Sequence, residues 1–306
     1  MQSAAAPQFA ILQRLCDFCR ITIVAPLDGS VRSKHKIPTE IATEVTVRKG
    51  SKRIDFKVSM TNLCKDHMLV VDFPTGIQTA TADWEAPFEI RTRDVDNFSD
   101  NHGIKGPELE RQAIQNFVNV SDDKSAFALM SKGLKEVGTR DENGTVLTLT
   151  LLRAATGRFP IHDDLIIGSD DAPSQCIGED YTFEYAILIH NNEDLIAESR
   201  KYITPMISAQ TGVSDGGTIP AVYSMLSHDN HNVCLSALKT NEDGAMILRL
   251  FNPTGETLSD RITVAKQIHS AQEVRLDETK LRELEVSDGV IDISVKPYTI
   301  MTIRMD

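Results

Sequence analysis

The chain has 306 residues, a formal net charge of −12 and a hydrophobic fraction of 41%, which indicates a globular protein long enough for two domains. The negative charge argues against a nucleic-acid ligand, because phosphate backbones are bound by clustered Lys and Arg. No run reaches the roughly 18 to 20 apolar residues that cross a bilayer, and the first residues lack a secretory signal pattern. We therefore expect a cytoplasmic protein.

The five cysteines are an odd number in a long chain, which predicts reduced thiols rather than a disulfide framework. Cys16 and Cys19 have the C-x-x-C spacing of redox and zinc sites. No second C-x-x-C pair accompanies them in the sequence. We therefore favour two partly buried structural thiols over a metal or redox site.

Alternation of polar and apolar residues over Arg53–Met60 predicts an antiparallel strand with its even-numbered side chains on one buried face. The run Glu44–Arg48 precedes it across a short Gly-containing connection, which is typical of a hairpin. More continuous apolar runs, His67–Phe73 and Tyr181–Ile189, predict strands covered on both faces.

Helical periodicity is scarce along the chain. Glu278–Leu284 favours a short helix, and Pro107–Val118 fits either a strand or a helix. Asp-Gly and Asn-Gly pairs tolerate the positive φ of tight turns and predict that the strands they separate are neighbours. Such pairs at 28–29, 143–144, 243–244 and 288–289 mark predicted turns.

These patterns predict an all-β protein with two domains. We expect a large antiparallel β-supersandwich over 1–212, a linker over 213–229 and a small C-terminal β-sandwich over 230–306. The linker follows from Thr211–Pro220, which is rich in Gly, Ser and Thr and lacks apolar periodicity.

An ordered series of motifs covers most of the chain from residue 40 onward. An apolar strand ends in Leu151-Leu152-Arg153, the acidic pair Asp163-Asp164 follows, and a turn then has the sequence Ala-Pro-Ser-Gln-Cys-Ile-Gly over 172–178. Flanking segments include Arg53-Ile54-Asp55-Phe56, Trp84–Arg91 and Leu248–Pro253. In this order the motifs resemble the C-terminal β-region of the family 38 glycoside hydrolases, the retaining zinc-dependent α-mannosidases. The order and spacing carry the resemblance, since no single motif is specific.

The resemblance implies a galactose-mutarotase-like large sandwich whose role is to support and rim the active site of a catalytic barrel. In that family the aspartate nucleophile and the zinc ion, with its His and Asp ligands, lie in this barrel, N-terminal to the β-region. Nothing in the 306 residues resembles the barrel. We therefore expect neither catalytic residues nor a metal or cofactor in this chain, zinc in the catalytic domain, and no glycosidase activity from the chain by itself.

The expected partners also follow from the resemblance. They are the catalytic barrel and a mannose-containing carbohydrate, either a general α-mannoside or mannosylglycerate or its phosphorylated form. A sandwich face that normally packs on a barrel would be bare without it, so we also expect self-association of the chain by itself.

The same resemblance implies a substrate-binding role for Arg153, Asp163 and Asp164. An arginine near this place in the family leans toward the pocket rim, where its fixed fork of donors can bind hydroxyls or a carboxylate. The alternative for Arg153 is a structural ion pair with Asp163 or Asp164.

Three other side chains are candidate ligand contacts. Trp84, the single Trp of the chain, could stack on a sugar, although a core position is the commoner role of such a residue. His228 and His231 have i, i+3 spacing, but in a polar loop we expect solvated histidines rather than a metal site.

Two other function classes remain open from the sequence. A carbohydrate-binding or structural sandwich module would use the same fold without chemistry. An enzyme like the aldose epimerases would need two histidines and a carboxylate that converge, for which His162, His190 and Glu184 are the candidates, without a motif that joins them.

Overall fold

The computed structural model describes residues 8–15, 18–26, 40–65, 67–95, 111–154, 175–212 and 216–306. The chain divides into two compact units. The large unit comprises Met1–Trp84 and Thr92–Pro205, and the small unit comprises Glu85–Arg91 and Met206–Asp306.

Most described residues lie in antiparallel strands. The strands before the helix are β1 (Gln8–Leu15), β2 (Phe18–Pro26), β3 (Glu40–Arg48), β4 (Arg53–Thr61), β5 (His67–Pro74), β6 (Thr81–Ala86), β7 (Glu89–Asp94), β8 (Arg111–Ala113), β9 (Phe117–Ser121), β10 (Ala126–Lys132), β11 (Glu136–Asp141), β12 (Thr145–Ala154) and β13 (Asp180–His190). The helix is α1 (Leu195–Ile203). The strands after it are β14 (Leu226–His228), β15 (Cys234–Thr240), β16 (Met246–Phe251), β17 (Leu258–Val264), β18 (Ala271–Val274), β19 (Lys280–Leu284), β20 (Val290–Val295) and β21 (Ile300–Met305).

The core of the large unit lies between two sheets. A nine-stranded sheet has the order β1-β2-β3-β4-β13-β10-β9-β6-β7, and a four-stranded sheet has the order β5-β12-β11-β8. Fully buried side chains from both sheets form one apolar cluster, with Leu129 from the first sheet and Leu147 and Leu149 from the second. This arrangement is the predicted large sandwich.

The predicted hairpin is confirmed. β3 pairs with β4 in antiparallel register, with Val47 opposite Ile54 and Val45 opposite Phe56. Val58 and Met60 are buried in the core of the large unit, and Phe56 packs against the same core. The alternation of polar and apolar residues therefore correctly predicted a strand with one buried face.

The prediction that both faces of the strand are covered is confirmed for β13, but it is wrong for β5. Ala186 and Leu188 of β13 are buried on the face opposite Phe183 and Tyr185. Helix α1 contacts β10, the neighbour of β13. The strand β5 lies at the edge of its sheet, and its Met68 is 40% exposed.

The helix α1 was not predicted from the sequence. The Asp194 carboxylate accepts a hydrogen bond from the backbone N–H of Ala197, 3.0 Å away, and so caps the first turn. Ile196, Ser199 and Tyr202 are its buried residues. The Asp before an apolar residue is an N-cap signal for a helix, but nine residues are too few to show a clear helical periodicity.

The small unit is a second sandwich, as predicted. A five-stranded sheet has the order β15-β16-β21-β18-β19, and a three-stranded sheet has the order β14-β17-β20. Leu248 and Ile303 of the first sheet and Ile262 and Ile291 of the second are fully buried in a shared core.

The short helix predicted over Glu278–Leu284 is wrong, because this segment forms a hairpin with β18. Lys280–Leu284 is the strand β19, which pairs with β18. Glu278 has a φ of 69° and its backbone N–H donates to the Arg275 carbonyl, so the chain reverses there. A left-handed residue cannot continue a right-handed helix.

The prediction that Asp-Gly and Asn-Gly pairs join neighbouring strands is confirmed in part. Asn143-Gly144 joins the paired strands β11 and β12, and Asp243-Gly244 joins β15 and β16, as predicted. Asp288-Gly289 reverses the chain with positive φ at both residues, but β19 and β20, on its two sides, lie in different sheets. The pair at 28–29 lies outside the described residues.

The domain boundaries differ in detail from the predicted ones. Leu226–His228, inside the predicted linker, is the strand β14 and pairs with β17. The large unit ends at Pro205, before the predicted limit of residue 212. Over the described ranges, no helix has the length and apolar character needed to span a membrane.

Candidate functional site

The outer face of the four-stranded sheet carries a polar surface on β12. Leu147 and Leu149 point into the core, so the intervening Thr148 and Thr150 face outward by the alternation of a strand. They are nevertheless only 5% and 7% exposed, because arginine side chains from β11 and β8 reach across and hydrogen-bond their hydroxyls.

A β-bulge near Leu151 places Arg153 on this same face. The pairing of β12 with β5 is regular up to Thr150 and shifts register between Thr150 and Leu152. Without the extra residue Arg153 would share the inward face of Leu149, whereas with it Leu151 and Leu152 are both buried and Arg153 is exposed. Bulges are known to re-aim a side chain in this way beside functional sites.

Arg153 belongs to a group of four side chains that we name the open cluster: Arg111, Glu136, Thr150 and Arg153. Arg111 Nη1 donates to Thr150 Oγ1 at 2.9 Å, and Thr150 Oγ1 donates to Glu136 Oε1 at 2.8 Å. Arg153 Nη1 donates to the other carboxylate oxygen, Glu136 Oε2, at 3.2 Å. The Arg153 side chain is 50% exposed. One carboxylate therefore links two arginines.

An adjacent group is built on Thr148, and we name it the closed cluster: Asp72, Arg140, Glu142 and Thr148. Arg140 Nη2 donates to Asp72 Oδ2 at 2.8 Å, and its Nε donates to Glu142 Oε1 at 2.9 Å. Thr148 Oγ1 accepts from Arg140 and donates to Asp72 Oδ1 at 2.7 Å. Here one arginine is held by two carboxylates.

The closed cluster has the electrostatic signature of a structural ion pair. The hydrogen bond from the Arg140 guanidinium, more than burial, sets the pKa of the Asp72 carboxyl, which lies below its usual value. The Asp72 carboxylate likewise raises the pKa of Arg140. Both charged forms are stabilised by the same contact.

The structure places one of the three predicted substrate-binding residues. Arg153 lies on the outer sheet face, where it pairs with Glu136. Asp163 and Asp164 lie outside the described residues, so their role stays a prediction. Glu136 and Arg111 were not predicted, since their approach to Thr150 depends on the register of three strands.

Trp84 is a core residue and not a sugar platform in this chain. Its side chain is 0% exposed and lies in the apolar cluster of the large unit. The Arg93 guanidinium lies 5.5 Å from the centre of the indole ring, a cation–π distance.

His228 is part of a loop anchor rather than a metal centre. Its Nδ1 lies 3.0 Å from Oδ2 of Asp260, whose side chain is 0% exposed. The other oxygen of Asp260 accepts backbone N–H groups from Asp229, Asn230 and Arg261. The His231 ring centre lies 6.0 Å from that of His228.

No third ligand accompanies these two histidines in the described part of the chain. Nowhere in that part do three or more His, Cys, Asp or Glu side chains form a group that could hold a metal ion. The described residues therefore do not fit the zinc ion that the resemblance implies for the family. Cys16 and the side chain of Cys19 lie outside the described residues, so the prediction for that pair is untested.

The candidate residues for epimerase-like chemistry do not converge. His190 is buried, with Nε2 3.0 Å from Asn119 Oδ1, and desolvation lowers its pKa. Glu184, six residues earlier on β13, pairs with Lys132 at 3.0 Å, and six strand residues separate the two by about 20 Å. His162 lies outside the described residues.

Comparison with known proteins agrees with the fold and identifies the relatives. The family described as "Glycosyl hydrolases family 38 C-terminal domain" matches residues 12–164, and "Glycosyl hydrolases family 38 C-terminal beta sandwich domain" matches residues 232–303. A curated protein of Halalkalibacterium halodurans, named "Putative mannosylglycerate hydrolase", is 25% identical over 90% of this chain and 29% of its own length.

Two solved structures have the same fold over nearly the whole chain. An alpha-mannosidase from Enterococcus faecalis V583 superposes with a TM-score of 0.81 at 22% identity, over 98% of this chain and 35% of that protein. A glycosyl hydrolase family 38 protein from Enterococcus faecalis superposes with a TM-score of 0.78 at 22% identity, over 98% of this chain and 36% of that one. The chain thus spans about a third of the length of these relatives.

Proposed function

Because the chain belongs to glycosyl hydrolase family 38 and is a C-terminal region of that family, we propose that it serves a retaining α-mannosidase as its non-catalytic β-region. In this proposal the region supports a catalytic barrel and contributes Arg153 to the rim of the active site. The proposed substrate is an α-mannoside, either mannosylglycerate, which the relative's name favours, or its phosphorylated form.

The observation that carries this proposal is the bulge at Leu151. The extra residue interrupts the pairing of β12 with β5 and places both Leu151 and Leu152 in the core. The extra residue turns Arg153 outward, where Glu136 holds one edge of its guanidinium. A half-exposed arginine with an oriented fork is suited to bind sugar hydroxyls or a carboxylate.

Bare apolar side chains support a large protein partner. Between Pro205 and β14, Met206 and Ile207 are 100% and 95% exposed, and Val222 is 90% exposed. Exposed apolar side chains that form a large patch seldom stay uncovered on a soluble protein. The proposed occupant is the catalytic barrel, because the relatives carry about two thirds of their length outside the matched region.

The chemistry is assigned to that barrel. Zinc, when bound there, would hold and polarise the sugar, and the nucleophile would be a carboxylate of the same domain. The described residues of this chain offer no comparable metal ligands. Their proposed contribution is to bind and orient the substrate at the rim and to exclude water from the contact with the barrel.

The proposal predicts that the purified 306-residue chain does not hydrolyse an aryl α-mannoside, whereas the barrel-containing protein does and loses that activity on chelation. Turnover by the chain itself that survives chelation would contradict it. Turnover of neither α-mannosides nor mannosylglycerate by the barrel-containing protein would favour a structural or carbohydrate-binding module.

A second prediction concerns association. We expect the isolated chain to self-associate, or to bind a separately expressed barrel, through its bare apolar side chains, and Met206→Ser with Val222→Ser to weaken either contact. Sedimentation velocity at increasing concentration measures this. A strict monomer that also fails to bind the barrel would contradict the proposed partner.

A further inference from the structure

Helix α1 is joined to β13 by a short connection, residues 191–194, whose backbone is strained. Asn192 has a φ of 126°, and residues other than glycine rarely adopt a positive φ. Such a conformation persists only where surrounding contacts hold it. Two side chains make these contacts: His190, the last residue of β13, accepts the backbone N–H of Asn192, and Glu193 accepts that of Asn191.

The imidazole of His190 holds the connection from the side of the sheet. The backbone N–H of Asn192 donates to its Nδ1 at 3.4 Å, so Nδ1 carries no proton. The proton is therefore on Nε2, which donates to Oδ1 of Asn119 on β9 at 3.0 Å. His190 and Asn119 are 5% and 7% exposed. The neutral ring thus uses both of its nitrogens in a buried contact.

The connection leads into a helix that covers the same face of the sheet. Helix α1 contacts β10. Phe127 and Leu129 of β10 point into the core, so Ala126 and Ala128 face the opposite side by the alternation of a strand. These two alanines are 8% and 0% exposed. Ala126 is the register partner of His190, so the imidazole lies on the face that α1 covers.

Protonation of His190 is unfavourable in this arrangement. A proton on Nδ1 would face the N–H of Asn192, so that hydrogen bond would be lost. Burial of the ring disfavours its charged form and lowers the pKa of His190. Two charged side chains also act on the ring: the Glu193 carboxylate, with Oε2 3.5 Å from Nδ1, favours the charge, and Lys52, which pairs with Glu193, opposes it.

Charged side chains on the adjacent elements are paired locally or exposed to solvent. The local pairs are Asp122 with the backbone of its own turn, Asp194 with the first turn of α1, Glu198 with Lys201, and Arg53 with Asp55. The exposed groups are Asp123, Lys124 and Arg200. Burial, Glu193 and Lys52 therefore govern the titration of the ring.

We propose that His190 is a pH-sensitive latch for helix α1: the neutral ring fixes the 191–194 connection and keeps α1 on β10, and the protonated ring releases both. In the released form the imidazole is in water and takes up a proton with the ordinary pKa of 6.5. The closed form binds the proton less readily. It is therefore fully favoured above pH 6.5 and loses stability as the pH falls below that value. This inference does not depend on the proposed function.

Hydrogen exchange of the 306-residue chain between about pH 7.5 and about pH 5.5 tests the latch. The rates are corrected for the intrinsic pH dependence of exchange. The readout is the protection of the backbone N–H groups of α1, with β12 of the other sheet as the internal control. His190→Gln keeps one donor and one acceptor but does not titrate. His231→Gln, a change of an exposed histidine in the small unit, is the matched control.

We expect the protection of α1 in the wild-type chain to fall about three- to tenfold over this range, because the release equilibrium takes up at most one proton. The protection of β12 should stay constant. His231→Gln should behave like the wild-type chain, and His190→Gln should remove the pH dependence of α1.

The proposal fails if the protection of α1 in the wild-type chain does not change with pH, or if His190→Gln keeps the wild-type dependence. It also fails if β12 loses protection in parallel, since that would indicate acid unfolding of the whole sandwich. If His190→Gln does not fold, 15N NMR signals of the wild-type ring decide. Protonation of His190 that coincides with the loss of α1 protection supports the latch, and a proton on Nδ1 at neutral pH contradicts it.

Discussion

The open and closed clusters use the same elements on the same strand for different purposes. In both, an arginine donates to an outward threonine of β12, and the threonine donates to a carboxylate. In the closed cluster the carboxylate of Asp72 returns to the same arginine, Arg140. In the open cluster the carboxylate of Glu136 continues to a second arginine, Arg153.

The two clusters differ in how their carboxylates and arginines are connected. In the closed cluster the guanidinium of Arg140 is paired with two carboxylates, those of Asp72 and Glu142, which disfavours the binding of a further anion. In the open cluster the Glu136 carboxylate contacts Arg153 directly and Arg111 through Thr150. The bulge at Leu151 is the local backbone feature that produces this second arrangement.

The largest expected effect comes from removing the hydroxyl that joins the open cluster. Thr150→Val keeps the shape of the side chain, but it deprives both Arg111 and Glu136 of a buried partner. We expect a loss of about 1–3 kcal/mol in the free energy of unfolding. Thr148→Val, the matched change, should cost less, about 0.5–1.5 kcal/mol, because Arg140 and Asp72 stay directly paired.

Urea unfolding of the two variants measures the comparison. Equal losses for Thr150→Val and Thr148→Val would show that the direct Arg140–Asp72 contact does not compensate for the lost hydroxyl. A larger loss for Thr148→Val would reverse the assignment of the two clusters.

A smaller effect is expected from the ionisation of Asp72. Its folded pKa lies below the unfolded value of 3.8 because of the Arg140 hydrogen bond. The charged pair therefore stabilises the fold fully above pH 3.8 and is lost as the pH falls below that value through the folded pKa. The carboxylate is 43% exposed, so solvent screening keeps the contribution small.

The variant Asp72→Asn tests the direction of this pH dependence. We expect the variant to be less stable than the wild-type chain near neutral pH, and the two stabilities to converge below pH 3.8. Equilibrium unfolding at several pH values gives the difference. A gap that persists or widens in acid would mean that the carboxylate does not act through its charge.

Local sequence patterns predicted many of the strands. They did not predict the features that depend on how the strands pair. The alternation of Ile54, Phe56, Val58 and Met60 needed no partner to reveal a half-buried strand. Glu278 misled the prediction, because its residue type favours a helix while the hairpin imposes a φ of 69°. In the sequence the bulge appears as two successive apolar residues, Leu151-Leu152, after the alternation of Leu147–Thr150.

The candidate site was only partly visible in the sequence. Arg153 was found through a family resemblance, not through a pattern of its own. Glu136 lies 17 residues from Arg153, and Arg111 lies 39 residues from Thr150. Their approach follows from the pairing of β8, β11 and β12, which no single segment encodes.

The most direct test of the account is Arg153→Lys in the barrel-containing protein, with Arg140→Lys as the matched control. If Arg153 lies at the rim of the active site, kcat/KM for an α-mannoside should fall about tenfold, a loss of about 1.4 kcal/mol. The melting temperature should change little, because the contact with Glu136 is half-exposed. Unchanged kinetics with a lowered melting temperature would contradict the account and make Arg153 a structural partner of Glu136.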